Sequence, residues 1–256
     1  MNESLSVLNW NVSGLNSPNR HATVHETIAG TPCNLVCLQE TKLSEVNPFI
    51  ASFLGGQRLK NFAKKPAHGT KGGILLLWNE DYIKLDNISV GNFSISAKIT
   101  LVSTSTSFKF TSVYGPTRSN LKDAFFQELL SLKPQQGTRW LVAGDFNQIY
   151  RACDKNRSNV DRSRLVRFRN ALNSSGLKEI HLQNRKYTGS NEQANPTLSK
   201  LDSFFCNDDW DVDFGSHILH ALSSSLSDHC PLLITCDKGP KRPKTFRFEK
   251  FMDQDA

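Results

Sequence analysis

Short apolar stretches alternate with amphipathic ones along this chain, which predicts strands interleaved with helices. The stretch GGILLLW at 72–78 is apolar enough to be covered on both faces, and residues 85–102 alternate apolar and polar positions as a hairpin does. The same reasoning predicts further strands at 4–11, 34–40, 107–115, 140–143, 200–206 and 230–236.

Three helices are predicted between these strands. Ser17 and Pro18 supply an N-cap and a first helical residue, and Gly30 ends the first helix. The second helix covers residues 120–132, where apolar residues recur on one face and Pro134 follows. The third carries an apolar stripe made of Leu165, Phe168 and Leu172. Many strands with a few helices indicate an α/β fold in which packed sheets are flanked by helices.

The composition indicates a packed globular protein. Of the 256 residues, 38% are hydrophobic and 21% are charged, which suits one large α/β domain or two small ones. The start MNESLSVLNWN lacks the features of a secretion signal and no apolar stretch is long enough for a bilayer, so we expect a soluble, intracellular protein with no membrane partner. The six cysteines form no metal-binding pattern and are predicted to be reduced packing residues.

The charge of the chain is unevenly distributed. The net charge is +7; residues 58–71 hold five basic residues and no acid, and residues 151–169 hold seven basic residues and two acids. Such clusters suit a polyanion, although a solvated basic face is the alternative for either cluster alone. Residues 237–256 contain two prolines and six basic residues and are predicted to be a linker or C-terminal extension.

Polar side chains stand at the ends of the predicted strands. Gly144 closes the apolar start of WLVAGDFN and is followed by Asp145 and Asn147, whose side chains would point to the same side of an extended backbone. Strand ends and the loops beyond them carry the chemical groups of layered α/β folds, so we expect one shared site. Its other candidate members are Asn11, Glu40, Tyr114, Asp202, Asp228 and His229.

These residue types suit hydrolysis of a phosphodiester. Glu40 is a hard oxygen ligand for Mg²⁺, which takes one or two carboxylates from a protein and keeps several waters. Asp145 would orient or deprotonate a water, and His229, held by Asp202, would stabilise charge on the phosphate oxygens. A further donor would be Asn147 or Tyr114. The sequence shows neither a nucleophilic serine or cysteine triad nor a GxxxxGK[ST] loop.

Each of these residues alone has an ordinary structural explanation. An aspartate after a strand is more often a turn or helix cap, and Ser227 with Asp228 is compatible with a plain turn. A single histidine such as His229 is more often structural than catalytic. The functional prediction therefore depends on the complete set.

The ordered motifs of the chain resemble a known family. They are NWNVSGLNS, CLQETKL, SVYGP, AGDFN, KLDSFF and LSDHCPL, spread over residues 5–236. In this order they look like the endonuclease/exonuclease/phosphatase superfamily, and more narrowly like the apurinic-type endonuclease domain of plant non-LTR (LINE-type) retrotransposons. The resemblance implies a catalytic domain over residues 1–236 that folds as a four-layer α/β sandwich, with two mixed β-sheets packed face to face and helices outside.

The resemblance also implies an activity and its partners. The activity is nicking of DNA that depends on Mg²⁺, for which Mn²⁺ would substitute, and it leaves a 3′-hydroxyl that primes reverse transcription. The location would be nuclear, and the parent element would supply a reverse transcriptase region. The tail FRFEKFM resembles the segment that leads toward a reverse transcriptase; since no polymerase sequence follows, we expect a fragment or a truncated element copy. The sequence predicts no oligomeric state.

Carried over by motif, the resemblance divides the candidate residues into three groups. The metal and its water would be held by Glu40, Asn11 and Asp228. Catalysis would depend on Asp145, Asn147, His229, Asp202 and Tyr114. Contacts with DNA would come from Thr188, Asn16 and Arg118.

Two positions depart from the plant pattern. Gly189 in KYTGSN stands where tryptophan is usual, and Ser203, directly after Asp202, stands where arginine is common. We expect the absence of this tryptophan and this arginine to weaken DNA binding without affecting the catalytic residues.

Three functional hypotheses follow. An active DNA endonuclease is favoured, because every catalytic residue of the pattern is present. The second hypothesis is a non-catalytic relic that binds nucleic acid through its basic faces. The third keeps the fold but acts in repair at abasic sites, whereas the lipid-cleaving relatives are disfavoured by the basic surface.

Overall fold

A computed structural model describes residues 4–69 and 71–236; the predicted C-terminal extension at 237–256 lies outside these described residues. The strands are β1 (Leu5–Asn11), β2 (Leu35–Gln39), β3 (Asn61–Lys65), β4 (Ile74–Trp78), β5 (Ile83–Val90), β6 (Ser94–Leu101), β7 (Ser107–Tyr114), β8 (Trp140–Asp145), β9 (Lys178–Glu179), β10 (Gly189–Ser190), β11 (Leu198–Ser199), β12 (Asp202–Cys206), β13 (His217–Ala221) and β14 (Leu232–Cys236). The α-helices are α1 (Pro18–Ala29), α2 (Pro48–Gly55), α3 (Lys122–Ser131), α4 (Arg162–Ser174) and α5 (Asp208–Asp213).

Twelve of these strands form two six-stranded sheets. Sheet A has the order β13-β14-β1-β2-β4-β3, and sheet B has the order β5-β6-β7-β8-β12-β9. Both sheets are mixed, because β1 pairs with β2 and β7 pairs with β8 in parallel while their other pairs are antiparallel. Strands β10 and β11 form a separate two-stranded ribbon.

Alternation of side chains along the strands explains how the layers pack. In β1, Leu5 and Val7 belong to the core between the sheets, whereas Leu8 and Trp10 pack against the helices on the other face. Helices α1 and α2 cover the outer face of sheet A, and α3 and α4 cover that of sheet B. The predicted four-layer α/β sandwich is therefore confirmed.

Several elements were not predicted from the sequence. Helix α2 is only eight residues long, although Asn47 caps it through its side chain. Strand β3 lies inside the basic stretch 58–71, and its residues are all half-buried, as expected of an edge strand protected by charge. Strand β13 and helix α5 were also missed. Cys153 is exposed, so its prediction as a packing residue was wrong, while the other five cysteines are buried.

No helix among residues 4–69 and 71–236 is both long and apolar enough to cross a membrane.

The inner faces of the two sheets become polar toward one end of their central strands. Along β1 the inward positions change from leucine and valine to Asn9 and Asn11, both fully buried. Gln39 Nε2 donates to Asn9 Oδ1 at 2.7 Å and to Ser112 Oγ at 3.1 Å, which joins the two sheets by side-chain hydrogen bonds. At this end of the two sheets, strands β1, β2, β7 and β8 finish, and strands β12 and β14 begin. The polar residues predicted at strand ends therefore converge here.

Candidate active site

The strand register places three of the predicted residues in one row of sheet B. Tyr114 at the end of β7 is opposite Asp145 at the end of β8, which is opposite Asp202 at the start of β12. Asn11 ends β1 in the facing sheet and donates from Nδ2 to Asp145 Oδ2 at 2.9 Å. The loop before β14 brings His229 to Asp202 from the same side. Residues far apart in sequence thus meet between the two sheets.

Asp145 is one of two fully buried carboxylates in this group, the other being Asp202. It has no solvent exposure, and it accepts hydrogen bonds from the Asn147 backbone N–H at 2.7 Å and from Nδ2 of Asn147 at 3.0 Å. Burial raises the pKa of Asp145, and the charge of Asp202 raises it further, against the opposing effects of His229 and the hydrogen bonds. A buried carboxylate with a raised pKa is suited to accept a proton near neutral pH.

Asn147 reaches Asp145 by a different route from the one predicted. Strand β8 stops at Asp145, and Asn147 has a φ of 48°, so the expectation of extended backbone was wrong at this residue. Its side chain turns back, donating from Nδ2 to the Gly115 carbonyl at 2.9 Å as well as to Asp145. Both amide hydrogens are therefore engaged, and Asn147 orients Asp145.

His229 and Asp202 form a buried pair. His229 Nδ1 lies 2.6 Å from Asp202 Oδ2, and the two residues are 8% and 0% exposed. Burial alone would lower the pKa of His229, but the nearby carboxylates of Asp202 and Asp145 outweigh it and raise the pKa to about 10. His229 is therefore an imidazolium at neutral pH, with its charge close to Asp145.

We expect the imidazole of His229 to stay protonated from pH 6 through pH 9 in metal-free protein. Its pKa in the folded state is raised above the unfolded value of 6.5, so the stabilisation is complete below that pH and is lost as the pH rises through about 10. An NMR titration of the ring signals, assigned by their loss in His229→Gln, measures this. Asp202→Asn should bring the midpoint down toward neutrality; a wild-type midpoint below pH 7 would contradict the proposed pair.

Glu40 lies across from these groups, directly after β2. Its Oε2 accepts from Asn11 Nδ2 at 3.0 Å, its Oε1 lies 3.0 Å from Lys42 Nζ, and its charge acts on the nearby Tyr114 hydroxyl. Burial raises the pKa of Tyr114, and the charges of Glu40 and Asp145 raise it further. The phenol is therefore a neutral donor at neutral pH, and it stands beside two carboxylates.

The predicted metal ligands Glu40, Asn11 and Asp228 lie in different environments. Ser13 N donates to Asn11 Oδ1 at 2.9 Å, so Asn11 presents its nitrogen to Glu40 and Asp145 and is not a direct oxygen ligand as placed. Glu40 keeps a side chain that is 21% exposed, and with Asp228 it lines one cavity of about 410 Å³, which we call the cleft. Two carboxylates that line an open cleft suit Mg²⁺, which binds one or two carboxylates of a protein and keeps several waters.

A second group of ligand atoms lies deeper. Atoms of Asp145, Asp202 and His229 lie within 4.8 Å of one another. Because His229 Nδ1 already contacts Asp202 at 2.6 Å, this group is explained by the imidazolium and its two carboxylate neighbours.

The three residues predicted to contact DNA have different environments. Arg118 is exposed and lines a second, larger cavity of about 830 Å³, and Asn16 is exposed on the loop after β1. Thr188 is only 3% exposed, and its hydroxyl accepts hydrogen bonds from the backbone N–H groups of Leu201 and Asp202, both at 3.0 Å. As placed, Thr188 supports the start of β12 instead of presenting a hydroxyl to a ligand.

The two departures from the plant pattern also differ. A Cβ added to Gly189 would lie 3.4 Å from Cε1 of His229, so the glycine leaves the space beside the imidazole open. Ser203 is 5% exposed and points to the face of β12 opposite to Asp202, toward the helices. Only the change at Gly189 therefore alters the cleft.

Further polar residues of the site were missed in the sequence. Ser13 Oγ donates to Asp228 Oδ1, and Ser227 Oγ donates to the Asn11 carbonyl at 2.8 Å. Lys42 pairs with Glu40. Residues 13, 40 and 42 have φ values of 50°, 53° and 57°, a conformation that non-glycine residues rarely adopt and that concentrates at functional sites. Neither hydrophobic period nor residue type signals such backbone in advance.

Basic side chains flank the carboxylates. The cavity of about 830 Å³, which we call the basic cavity, adjoins Glu40 and Tyr114 and is lined by Lys42, Lys65, Lys71 and Arg118. On the far side of His229, a third cavity of about 300 Å³ is lined by Arg185 and Lys186. Cations on both sides of an acidic centre suit a polyanionic strand that crosses it.

The Endonuclease/Exonuclease/phosphatase family matches residues 8–229, which include every residue of the site described above. The chain belongs to this family. No curated protein matches the chain. As an endonuclease/exonuclease/phosphatase protein, it also shares its fold with solved structures of low sequence identity.

Three of these structures are informative. AP endonuclease LMAP from Leishmania major has a TM-score of 0.73 at 14% identity, with 93% of this chain and 89% of that chain covered. The endonuclease domain of TRAS1, a telomere-specific non-LTR retrotransposon, has a TM-score of 0.68 at 13% identity, with 91% and 98% covered. D. rerio TDP2 complexed with single-strand DNA product has a TM-score of 0.62 at 15% identity, with 91% and 98% covered. At these identities the likeness concerns the fold.

Proposed function

We propose that this endonuclease/exonuclease/phosphatase domain, over residues 1–236, nicks DNA in a Mg²⁺-dependent reaction and leaves a 3′-hydroxyl. The observation that carries the proposal is the meeting of Asp145, the Asp202–His229 pair and Glu40 in one cleft between the sheets. The flanking cations select a polyanionic substrate. In this proposal the domain derives from a plant non-LTR retrotransposon, works in the nucleus and prepares a primer for a reverse transcriptase region of its element.

The residues of the cleft divide the hydrolysis among them. Asp145 takes a proton from a water whose oxygen attacks phosphorus, while Asn147 keeps the carboxylate oriented. The His229 imidazolium stabilises the negative charge that develops on the phosphate oxygens, and Asp202 keeps it protonated and in place. The bond from phosphorus to the 3′ oxygen breaks, and the leaving oxygen takes up a proton from solvent, which gives a 3′-hydroxyl and a 5′-phosphate.

The other side of the phosphate faces Glu40. Tyr114, as a neutral phenol, donates a hydrogen bond to a phosphate oxygen. Glu40 would hold the divalent cation, with Asp228 facing it and Asn11 fixing the carboxylate; when bound, Mg²⁺ or Mn²⁺ would neutralise charge on the phosphate and leaving oxygens. Lys42 offsets the charge of Glu40 before substrate enters.

A plasmid assay tests the proposal. Purified protein with Mg²⁺ is expected to convert supercoiled plasmid to open circle, and a chelator is expected to stop the reaction because the charge on the phosphate and leaving oxygens would no longer be neutralised by a divalent cation. A DNA polymerase should extend the product, since extension needs a 3′-hydroxyl. Binding without any nicking, weakening with salt, would instead identify the non-catalytic relic.

Repair at abasic sites is the second candidate, since the fold is shared with an AP endonuclease. Initial rates on matched duplexes, one intact and one with a single abasic site, separate the two functions. A strong preference for the abasic duplex would replace the retrotransposon assignment, whereas similar rates would retain it.

A further inference from the structure

An almost completely buried lysine lies behind the catalytic cleft. Lys122 is the first residue of α3 and is 2% exposed, although lysine is rarely buried to this extent. The start of a helix is also the end where a cation is disfavoured by the helix dipole. A side chain kept under two unfavourable conditions requires a specific contact to explain it.

That contact is with the loop that carries Asn147. Lys122 Nζ donates to the Asn147 backbone carbonyl at 2.6 Å. Burial lowers the pKa of Lys122, Asp145 opposes the change and Arg164 adds to it, and together they bring the pKa to about 8, so the ammonium form still predominates at neutral pH. The bond is therefore charge-assisted, which makes it one of the stronger hydrogen bonds around the cleft.

The bond acts on a residue in an unfavourable conformation. Asn147 has a φ of 48°, which a non-glycine residue keeps only when its surroundings fix it. In this conformation its N–H and Nδ2 both reach the carboxylate of Asp145, at 2.7 and 3.0 Å. Release of the Asn147 carbonyl would let the peptide turn and would disturb both hydrogen bonds.

We propose that Lys122 is a positioning residue of the hydrolytic site, which fixes Asn147 and through it the direction of the Asp145 carboxylate. The proposal rests on the proposed nuclease function and adds to it a residue that lies outside the cleft. It differs from a purely structural role, in which Lys122 would only attach α3 to sheet B and would leave the reaction rate of folded protein unchanged.

The test compares Lys122→Met with Lys109→Met. Lys109 is a matched control: it also lies under a helix and donates from Nζ to a backbone carbonyl, that of Leu132, at 2.5 Å, but at the end of sheet B away from the cleft. We expect kcat for nicking to fall about 10- to 100-fold in Lys122→Met, with KM within about twofold, because the water and its base lose alignment while DNA contacts remain. Lys109→Met should keep the wild-type kcat.

Hydrogen exchange supplies a readout that does not depend on activity. In Lys122→Met, amides at 145–149 should exchange faster, while those at 130–133 stay unchanged; Lys109→Met should show the reverse. Should Lys122→Met not fold, Lys122→Gln, whose shorter side chain cannot reach the carbonyl, is expected to behave the same way.

The outcomes separate the two proposals. A wild-type protein that nicks, with a Lys122 variant of equal kcat per folded molecule, would overturn the positioning role and leave the nuclease intact. A wild type that never nicks would overturn the nuclease function, and unchanged exchange at 145–149 would then also overturn the control of Asn147 by Lys122.

Discussion

Asp145→Asn should lower the nicking rate of the protein by about 10³-fold, within the range that general bases contribute. The amide has nearly the shape of the carboxylate but cannot accept the proton of the attacking water. It also meets three N–H donors, from Asn11 and twice from Asn147, so its own NH₂ group would face a donor. The measurement is the initial rate of open-circle formation at saturating enzyme, with DNA affinity measured separately and expected to stay within a few fold.

The control for this change is Asp123→Asn. Asp123 is exposed on α3 and pairs with Arg167 at 2.7 Å, so the same chemical change is made where it affects only a surface ion pair. Wild-type nicking is expected from it. If Asp145→Asn also nicked at the wild-type rate, the assignment of Asp145 as the base would be wrong.

Gly144→Ala should destabilise the fold by about 2–4 kcal/mol, through steric overlap that the sheet cannot relieve cheaply. Gly144 lies in β8 between β7 and β12, and its φ of 155° disfavours other residues. An added Cβ would lie 2.0 Å from the Val113 carbonyl oxygen and 2.7 Å from Val113 Cγ2. The strand carrying Asp145 would have to separate from β7 to admit it.

Urea unfolding followed by tryptophan fluorescence measures the loss, with Gly30→Ala as the control. Gly30 caps α1 with a φ of −78°, and a Cβ there would only approach the Glu26 carbonyl to 3.4 Å. Its free energy of unfolding should stay within about 0.5 kcal/mol of wild type. An unchanged urea midpoint for Gly144→Ala would contradict this prediction, because it would show that β7 and β8 can separate enough to admit a Cβ at no cost in stability.

Much of the fold could be predicted from the sequence, because its strands are apolar runs with clear ends. Residues 72–78 and 140–143 correspond to the buried strands β4 and β8, and Ser17 caps α1 as expected. Helix α3 starts slightly later than predicted, since residues 119–121 form a 3₁₀ turn. The missed elements are short or charged: α2 has eight residues, and β3 is a half-buried edge strand, so neither shows a full hydrophobic period.

The candidate site could be predicted as a set of residue types but not as a geometry. The order of motifs indicated which side chains would meet, and the His229–Asp202 contact has the expected partners. The direction in which Asn11 presents its amide depends on the Ser13 backbone, whose φ of 50° has no signature in the sequence. Lys122 was invisible for a similar reason: a lysine at a helix start usually faces water, and its burial follows only from the packing of α3 on sheet B.

The position of the cleft between the sheets has a consequence for the whole protein. Asn11 in sheet A donates a hydrogen bond to Asp145 in sheet B, and His229, which precedes β14 of sheet A, contacts Asp202 of sheet B. The groups to which we assign the proposed chemistry therefore also join the two sheets by hydrogen bonds. Val7 and Leu141, deep in the core between the sheets, therefore hold apart the two halves of the proposed site, and a change of volume there is expected to move its residues relative to one another.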